Sequence, residues 1–459
     1  MYTAGMLARV LVATSLLPLA MATCGPKTNG THTATTPTPA LSPLPAASPV
    51  AIVNATVWTA AGPRIEKGRV ILSGGKILRV GGPDTPIPPA AQVIDVGGRN
   101  VTPGVIDVHS HNGVYPSPSV DATADGNEMT DPTTPQVDAQ HGIWPQDPNF
   151  VRVLSSGNTS AIILPGSGNL IGGRGVSVHN VPGRTVAEMK IPGAPAHLKM
   201  ACGENPKRVY GKEKKSFPMT RMGNYAGYRD AFEGAKAYRA KTDKLGEDEK
   251  RDAERDMKKE TLAGVLAGKI LVQNHCYRAE EMAEMVDLAD EYGFKIRAFH
   301  HALEAYKVRD LLAARGIGVA TWADWWGFKL EAWDGIPQNA ALLHEAGVKV
   351  AIHSDSTVGA QRLNQEAAKA LAYGKRAGIK VTEDDALSWI TSNAAWVMGM
   401  EKELGTLEAG KIGDVVVWSE SPFSVYTRAD LVFVDGREVF DRADAKIQPR
   451  SDFELGVTR

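Results

Sequence analysis

The feature that most constrains the fold is a regular alternation of strand-like and helix-like segments through residues 104–398. Short apolar runs such as TSAIILPG and KILVQNH alternate with amphipathic stretches such as AEEMAEMVDLADEYG and QRLNQEAAKALAYG. A strand followed by a helix, repeated several times, is typical of a parallel sheet with helical crossovers. At this length the pattern predicts an α/β fold, a closed (β/α)8 barrel of the TIM type.

The two ends of the chain have a different texture, with short alternating runs broken by Gly and Asn. Residues 49–103 contain AIVNATVWTA and GRVILSGGKILRVGG, and residues 399–459 contain GKIGDVVVWSE and ADLVFVDGREVF. Runs with a period of two predict β-strands that bury one face. We therefore expect a small β-sandwich, built from both ends of the 459-residue chain, beside the barrel.

The N-terminal region predicts export. Residues 1–23 carry Arg9 and then the apolar run VLVATSLLPLAMA, which is too short to span a membrane and is typical of a signal peptide. The run AMATCG resembles a bacterial lipoprotein cleavage site in which Cys24 is lipidated and anchors the protein to a membrane; plain secretion to the periplasm is the alternative. Residues 24–48 are rich in Thr, Pro and Ala, a composition that predicts a disordered tether.

Charge and cysteine content narrow the class of partner. The chain has 51 Lys+Arg against 52 Asp+Glu, so its net charge does not indicate a nucleic-acid partner. A small molecule is the expected partner, and whether the chain forms a homo-oligomer stays open. Cys202 and Cys276 lie in apolar, strand-like runs, so we expect two buried thiols; a disulfide is the alternative in an oxidising compartment.

Histidines and one aspartate stand at the ends of predicted barrel strands, where barrel active sites lie. His109 and His111 are two residues apart on one strand, so both imidazoles face the inside of the barrel. Later strands end in three further candidates, namely His275, one of the pair His300–His301, and Asp355. Such nitrogen and oxygen ligands predict a zinc site and hydrolysis, with the aspartate taking a proton as an activated water attacks a carbonyl.

In their order along the chain, these motifs resemble the amidohydrolase superfamily. The resemblance rests on PGVIDVHSH after a β-rich region, the histidines and aspartate at later strand ends, and the run TSNAAWVMGMEKELGTLEAGKIGDVVVW. It covers residues 50–445 and is nearest the imidazolonepropionase-like and related secreted branch. It implies a metal-dependent hydrolase of a small peptide-like, N-acyl or cyclic amide. The alternatives are a deaminase or an ester or lactone hydrolase on the same site, and a non-catalytic metal-binding protein.

The resemblance assigns metal ligands residue by residue. On the sixth strand, FHHALEAYK favours His301 over His300. His353, two residues before the aspartate, is interpreted as part of the pocket or core. Asp355 both touches metal and serves as the base. The ligands implied in this way are His109, His111, His275, His301 and Asp355.

One further ligand sets the number of metal ions. The stretch LKMACGENP offers Lys199 within an apolar run and Glu204 after the glycine. Superfamily members with two metals often bridge them by a carboxylated lysine on the fourth strand, while others use a glutamate or bind a single metal. Because a buried, unpaired lysine is unfavourable, carboxylation would explain Lys199. We expect two zinc ions bridged by Lys199; the alternatives are Glu204 as ligand, or a single zinc ion.

Loops after the strands are expected to form the substrate pocket. The loop sequences ENPKRVYG and TRMGNYAGYR contribute Arg208, Tyr210 and Arg221 as candidates for binding a substrate carboxylate, and ordinary exposed loops are the alternative. Tyr306 follows the sixth strand and is a candidate donor to the developing oxyanion. Four tryptophans in WADWWGFKLEAW, among them Trp325, predict an aromatic wall, or packing between barrel and helices.

Overall fold

A computed structural model describes residues 48–246 and 255–449 of the chain. Three predictions fall outside these residues: the signal peptide, the lipidation of Cys24, and almost all of the tether. Within them, no helix has both the length and the apolar character needed to cross a membrane.

The described residues contain sixteen β-strands and a series of helices. The strands are β1 Val50–Val57, β2 Ile65–Ser73, β3 Lys76–Gly81, β4 Gln92–Asp95, β5 Asn100–Pro103, β6 Val105–Ser110, β7 Asn158–Ile163, β8 Ile171–His179, β9 Ala196–Ala201, β10 Ile270–Cys276, β11 Ile296–His301, β12 Gly318–Thr321, β13 Val350–Ile352, β14 Val415–Trp418, β15 Ala429–Val434 and β16 Arg437–Asp441. The helices are Pro148–Leu154, Val186–Met189, Glu204–Pro206, Arg221–Thr242, Met257–Leu266, Ala279–Tyr292, Arg309–Arg315, Asn339–Glu345, Leu363–Arg376, Glu383–Ile390 and Ser392–Met398, with a π-helical segment at Lys207–Glu213. Short 3₁₀ turns lie at Asp121–Thr123, Ala139–His141, Ala305–Val308, Leu330–Ala332 and Gly359–Arg362.

The middle of the chain forms an eight-stranded sheet, in the order β6 to β13, that is nearly closed into a barrel. The first and last strands meet just beyond β13, where the Asp355 N–H donates to the His109 carbonyl at 3.0 Å. Strand β6 is buried at every position, as expected for a barrel strand covered on both faces. The helix Ala279–Tyr292 buries Met282, Met285 and Val286 along one face and ends at a left-handed glycine, which is why its pattern could be read from the sequence.

One barrel strand departs from the predicted all-parallel (β/α)8 pattern. Strand β8 runs antiparallel to both of its neighbours, β7 and β9. Residues 164–170 join β7 to β8 without a helix, and a connection that short can only join antiparallel strands. The sequence prediction was therefore correct for the barrel type and wrong for this strand.

The two ends of the chain together form a second sheet. Its order is β16-β15-β14-β5-β1-β2-β3, with β4 paired to β1. The joint between the ends is the antiparallel pairing of β14 with β5. Both ends contribute buried residues to a shared cluster, including Ile52, Val101, Val415 and Phe433. The predicted sandwich of two layers is not confirmed, because in the described residues these strands form one continuous sheet.

A buried imidazole connects the barrel to this second sheet. His179, the last residue of β8, has Nδ1 3.5 Å from Asp414 Oδ2 and Nε2 3.6 Å from Asp435 Oδ2. Burial alone would lower the pKa of His179, but the two carboxylates outweigh it and raise that pKa. For Asp414 the signs are reversed: burial alone would raise its pKa, but His179 holds that pKa below the ordinary aspartate value. The group therefore behaves as a buried ion pair between the two sheets.

The substitution His179→Gln is expected to lower the free energy of unfolding by about 3–5 kcal/mol, because it leaves the buried Asp414 carboxylate without its cation. Because the pKa of His179 is raised in the folded state, the protonated histidine stabilises the fold at low pH, and this contribution is lost as pH rises through its folded-state pKa. Because the pKa of Asp414 is lowered, the ionised aspartate stabilises the fold above its unfolded-state pKa, and this contribution is lost as pH falls through its folded-state pKa. The difference between wild type and variant should thus be largest between about pH 4 and 6.5.

Urea unfolding at pH 5 and pH 9 measures this difference. The control is His344→Gln, which removes a half-exposed histidine 3.4 Å from Asp385 and should cost less than about 1 kcal/mol. A loss for His179→Gln that is equal at both pH values would contradict the ion-pair assignment.

Candidate metal centre and active site

Side chains from five barrel strands converge at the carboxyl ends of those strands. All lie on the strand ends or in the first residues beyond them, which is the end of a barrel where catalytic groups are found. They are His109, His111, Lys199, His275, His301, His353 and Asp355. All but Asp355 and His111 are almost fully buried.

The two histidines of β6 flank Asp355. His111 Nε2 lies 3.0 Å from Asp355 Oδ1, and His109 Nε2 lies 3.6 Å from the same oxygen. His111 Nδ1 donates to the Leu164 carbonyl at 2.8 Å, which fixes its ring with Nε2 toward the aspartate. His109 Nδ1 lies 2.9 Å from His300 Nδ1. Each first-strand histidine thus has its second nitrogen held by a partner, as is usual for metal ligands.

Asp355 is supported by residues that the sequence analysis did not single out. Asp107, two residues before His109 on β6, accepts hydrogen bonds from the His109 N–H at 3.1 Å and from the Ser354 N–H at 3.2 Å. The Ser354 hydroxyl donates to the same carboxylate. This buried contact fixes β6 against the segment that carries Asp355. The sequence signal that could have identified Asp107 is a carboxylate inside the apolar strand GVIDVHSH.

Lys199 is buried beside the histidines. Its Nζ donates to the Pro165 carbonyl at 3.0 Å and lies 3.1 Å from His109 Nε2. Burial lowers the pKa of Lys199 to about 8. Among the described residues, no carboxylate lies within ion-pairing distance of it. A buried amine that is partly neutral near pH 8 is chemically suited to carboxylation.

Glu204, the alternative ligand, is engaged in an ion pair. Its carboxylate is 3.6 Å from Lys329 Nζ, and Lys329 also contacts Glu331 at 3.2 Å. Lys329 stands 4.0 Å above the ring of Tyr277. The sequence analysis overlooked Lys329, since a lysine in a loop carries no sign of what it faces. Glu204 therefore forms an ion pair with a residue far away in sequence.

Two further histidines have ring nitrogens without partners. His275 has no hydrogen-bond partner at either nitrogen, and His301 has none at Nδ1. The His275 and His301 ring centroids are 4.5 Å apart, and His301 Nδ1 lies 4.0 Å from Asp355 Oδ2. Burial holds the pKa of both imidazoles well below the ordinary histidine value. They are therefore neutral, with lone pairs available.

These observations fit a divalent cation. A buried polar atom without a partner is unfavourable, and a cation among these nitrogens and the aspartate would satisfy several at once. Neutral imidazoles with a carboxylate are the ligand types that zinc binds. The predicted ligands that the geometry brings together are His109, His111, Lys199, His275, His301 and Asp355.

An aromatic wall stands against His301. Trp322 stacks on its imidazole with centroids 4.5 Å apart, and Tyr277 stacks on it at 5.1 Å. Trp325, the predicted contact residue, stacks on Trp322 at 5.2 Å and so forms the next layer out. His353 Nε2 accepts a hydrogen bond from the His301 N–H at 3.3 Å, which gives His353 a supporting place in the pocket. The aromatic wall lies where it was expected, but Trp322 and not Trp325 is the tryptophan that contacts His301.

The two predicted arginines are engaged outside this cluster. Arg208 forms an ion pair with Glu213 at 2.6 Å, and both side chains are more than half exposed. Arg221 lies 3.1 Å from Glu280. The prediction that both lie in loops was wrong, because Arg208 lies in the π-helical segment and Arg221 begins the helix Arg221–Thr242, and glutamates form ion pairs with both. Their role in binding substrate stays a prediction, and these ion pairs do not support it.

The two predicted tyrosines also have other partners. The Tyr210 hydroxyl donates to the Asp131 carbonyl at 2.8 Å. The Tyr306 hydroxyl donates to the Asp334 carbonyl at 3.1 Å. Because each hydroxyl proton is already donated to a backbone oxygen, Tyr210 is not free in this structure to bind a substrate carboxylate, and Tyr306 is not free to stabilise an oxyanion.

Cys202 and Cys276 form a disulfide rather than the two buried thiols we expected. In the parallel pairing of β9 with β10, His275 lies opposite Ala201, so the next residue of each strand is a cysteine opposite a cysteine. Their Cα atoms are 5.3 Å apart, within the normal range for a disulfide. The sequence shows a separation of 74 residues but not this register, which is why the expectation was wrong.

Comparisons with known proteins find amidohydrolases. The amidohydrolase family model matches residues 303–440. The crystal structure of an amidohydrolase from Thermotoga maritima MSB8 superposes with a TM-score of 0.79 and 37% sequence identity, covering 86% of this chain and 100% of that one.

Two curated relatives carry related names. Amidohydrolase tasK of Hapsidospora irregularis is 35% identical over 400 residues, which is 82% of this chain and 40% of the relative. The imidazolonepropionase of Legionella pneumophila (strain Corby) is 36% identical over 78 residues, 17% of this chain and 19% of the relative. This chain thus spans less than half the length of either. The similarity to the Thermotoga structure, by contrast, extends over most of this chain and all of that one. On that basis, the chain belongs to the amidohydrolase superfamily.

Proposed function

We propose that the protein is a metal-dependent hydrolase that cleaves a carbon–nitrogen bond in a small amide. The observation that carries this proposal is the group of neutral, buried imidazoles with unpartnered nitrogens around one carboxylate at the catalytic end of the barrel. His275 and His301 supply the unpartnered nitrogens, and Asp355 supplies the carboxylate. A non-catalytic metal-binding protein has no need of a partly exposed carboxylate at the centre of such a site.

The residues that would hold the metal are the two histidines of β6, Lys199 as a carbamate, His275, His301 and Asp355. Zinc is favoured because most of these ligands are imidazoles. When bound, the metal would supply a Lewis acid that activates water and polarises the scissile carbonyl. Two ions are expected if Lys199 is carboxylated, since the carbamate has two oxygens to share.

Asp355 is the proposed general base. Burial raises its pKa, but hydrogen bonding and charge from His111 outweigh burial and hold that pKa below the ordinary aspartate value. The carboxylate is thus deprotonated at neutral pH and can accept the proton of the attacking water. Its side chain is 27% exposed, so it faces the space that substrate enters. The same carboxyl can then give the proton to the leaving nitrogen.

The substrate class is suggested by the aromatic wall. Trp322 and Tyr277 both pack against the His301 ring, with their own centroids 6.1 Å apart, and Trp325 stacks on Trp322 to complete an apolar wall beside the site. A peptide-like, N-acyl or cyclic amide with a planar or apolar group would pack on it. Export to the periplasm, with or without a lipid at Cys24, is part of this proposal and rests on the sequence alone.

Product analysis on a substrate panel tests the proposal. The panel contains N-acyl amino acids, dipeptides, cyclic imides, aminopurines and lactones, each incubated with zinc-loaded protein. We expect turnover of an amide, with a free carboxylate and amine as products. Ammonia from an aminopurine would favour the deaminase alternative, and turnover of lactones alone would contradict cleavage of a carbon–nitrogen bond.

A further inference from the structure

The Cys202–Cys276 disulfide lies directly beside the proposed metal ligands. Cys276 follows His275 in the chain, and the Cys202 N–H donates to the His275 carbonyl at 2.9 Å. The Cys276 carbonyl accepts a hydrogen bond at 2.9 Å from the N–H of Ala302, the residue after His301. The cross-link therefore joins the ends of β9 and β10, and its backbone contacts β11. These three strands carry Lys199, His275 and His301.

His275 differs from His109 and His111 in having no hydrogen bond that orients its ring. His111 donates through Nδ1 to a backbone carbonyl, and His109 has Nδ1 beside His300. Both nitrogens of His275 lack a hydrogen-bond partner, although the residue is buried. A metal-ligating histidine normally has its second nitrogen fixed by a hydrogen bond, and loss of such a partner weakens metal binding. For His275, the direction of the ring is set by the position of the backbone together with packing against Tyr277 and His301, whose ring centroids are 5.0 and 4.5 Å away.

We propose that the disulfide is a positioning element for the metal centre: it fixes the backbone of His275 covalently and so takes the place of the missing hydrogen bond. The proposal rests on the proposed function, because it presupposes that His275 binds metal. A disulfide holds two Cα atoms within a narrow range of distances. The two strands it joins are those of Lys199 and His275, so it fixes the distance between these two ligands.

The test uses the double variant Cys202→Ala/Cys276→Ala. Alanine is chosen because serine or a free thiol would introduce a new ligand beside Glu281, whose carboxylate lies within 4.8 Å of both sulfurs. Metal affinity is measured by competition with a chromophoric chelator, and ligand geometry by the visible spectrum of the cobalt-substituted protein. We expect binding of at least one ion to weaken by about 10- to 100-fold, with an altered cobalt spectrum and a retained circular dichroism spectrum.

The matched control is Val286→Ala, which removes buried methyl groups from the helix Ala279–Tyr292 in the same barrel. It should lower stability while leaving metal affinity and the cobalt spectrum unchanged. If the double variant does not fold, the same measurements are made on Cys202→Val/Cys276→Val, which also removes both sulfurs and fills more of the space that they occupy. The same weakening is expected.

The outcomes separate this inference from the function on which it rests. Wild-type protein that binds no metal would overturn both. Wild-type protein that binds metal, with a double variant of equal affinity and identical cobalt spectrum, would overturn the positioning role alone. The cross-link would then contribute only to the stability of the fold.

Discussion

Replacement of Asp355 by asparagine is expected to lower kcat by roughly 10³–10⁴-fold while the protein remains folded. Asparagine keeps the size of the side chain but cannot accept the proton of the attacking water. It also removes the negative charge that lies 3.0 Å from His111 Nε2 and 3.6 Å from His109 Nε2. The measurement is steady-state hydrolysis of the best substrate in the panel, with metal content determined on the same samples.

The control for this substitution is Glu204→Gln, which makes the same chemical change at the carboxylate paired with Lys329. Because the structure places Glu204 in that ion pair, we expect its kcat to stay within about threefold of wild type. Unchanged hydrolysis in Asp355→Asn would remove the aspartate from its role as base. A loss of metal in Glu204→Gln would make Glu204 a ligand after all.

Replacement of Lys199 by alanine is expected to reduce bound metal from about two ions per chain to about one, and to lower kcat by at least about 100-fold. The physical reason is the position of the amine: it is buried, and burial lowers its pKa to about 8. Near that pH a substantial fraction is neutral and reacts with carbon dioxide, which gives a carbamate that two cations can share. The measurement is elemental analysis together with hydrolysis.

Two controls separate the carbamate from a structural role of the lysine. Metal-free wild type is reloaded with zinc in the presence and absence of bicarbonate, and only the first sample should recover full activity. Millimolar propionate added to Lys199→Ala should restore part of the activity, because the truncated side chain leaves room for a small carboxylate. A variant that retains the wild-type metal content would contradict the bridging role and favour a single-metal site.

The sequence was sufficient to predict the barrel and the positions of most candidate ligands. Strand-end residues are readable because barrel strands are apolar throughout, so that a polar residue such as His275 or Asp355 stands out against them. Periodicity of two also placed His109 and His111 on the same inner face. These inferences depend on local pattern, which an isolated sequence contains.

Pairing between distant segments was not readable. The reversal of β8 depends on a seven-residue connection whose geometry local periodicity does not reveal. The disulfide depends on the register between two strands that are 74 residues apart. The β-rich ends showed one buried face each, which is equally compatible with a sandwich and with the single sheet observed.

The sequence also could not predict the direction in which side chains outside the barrel strands point. Arg208 and Arg221 were predicted in loops, but Arg208 lies in the π-helical segment and Arg221 is the first residue of a long helix. Glutamates form ion pairs with both arginines. Lys329 was overlooked, although it contacts both Glu204 and Glu331. Loop side chains have no periodicity to indicate a face, so their partners are set by tertiary contacts.

The central claim is that hydrolysis depends on a metal held by the strand-end histidines. The most direct test is the metal content of purified wild-type protein, determined by elemental analysis before and after dialysis against a chelator, with hydrolysis assayed on the same samples. We predict about two zinc ions per chain, loss of activity in step with loss of metal, and recovery when zinc is returned. Full activity in protein that contains no metal would contradict the account.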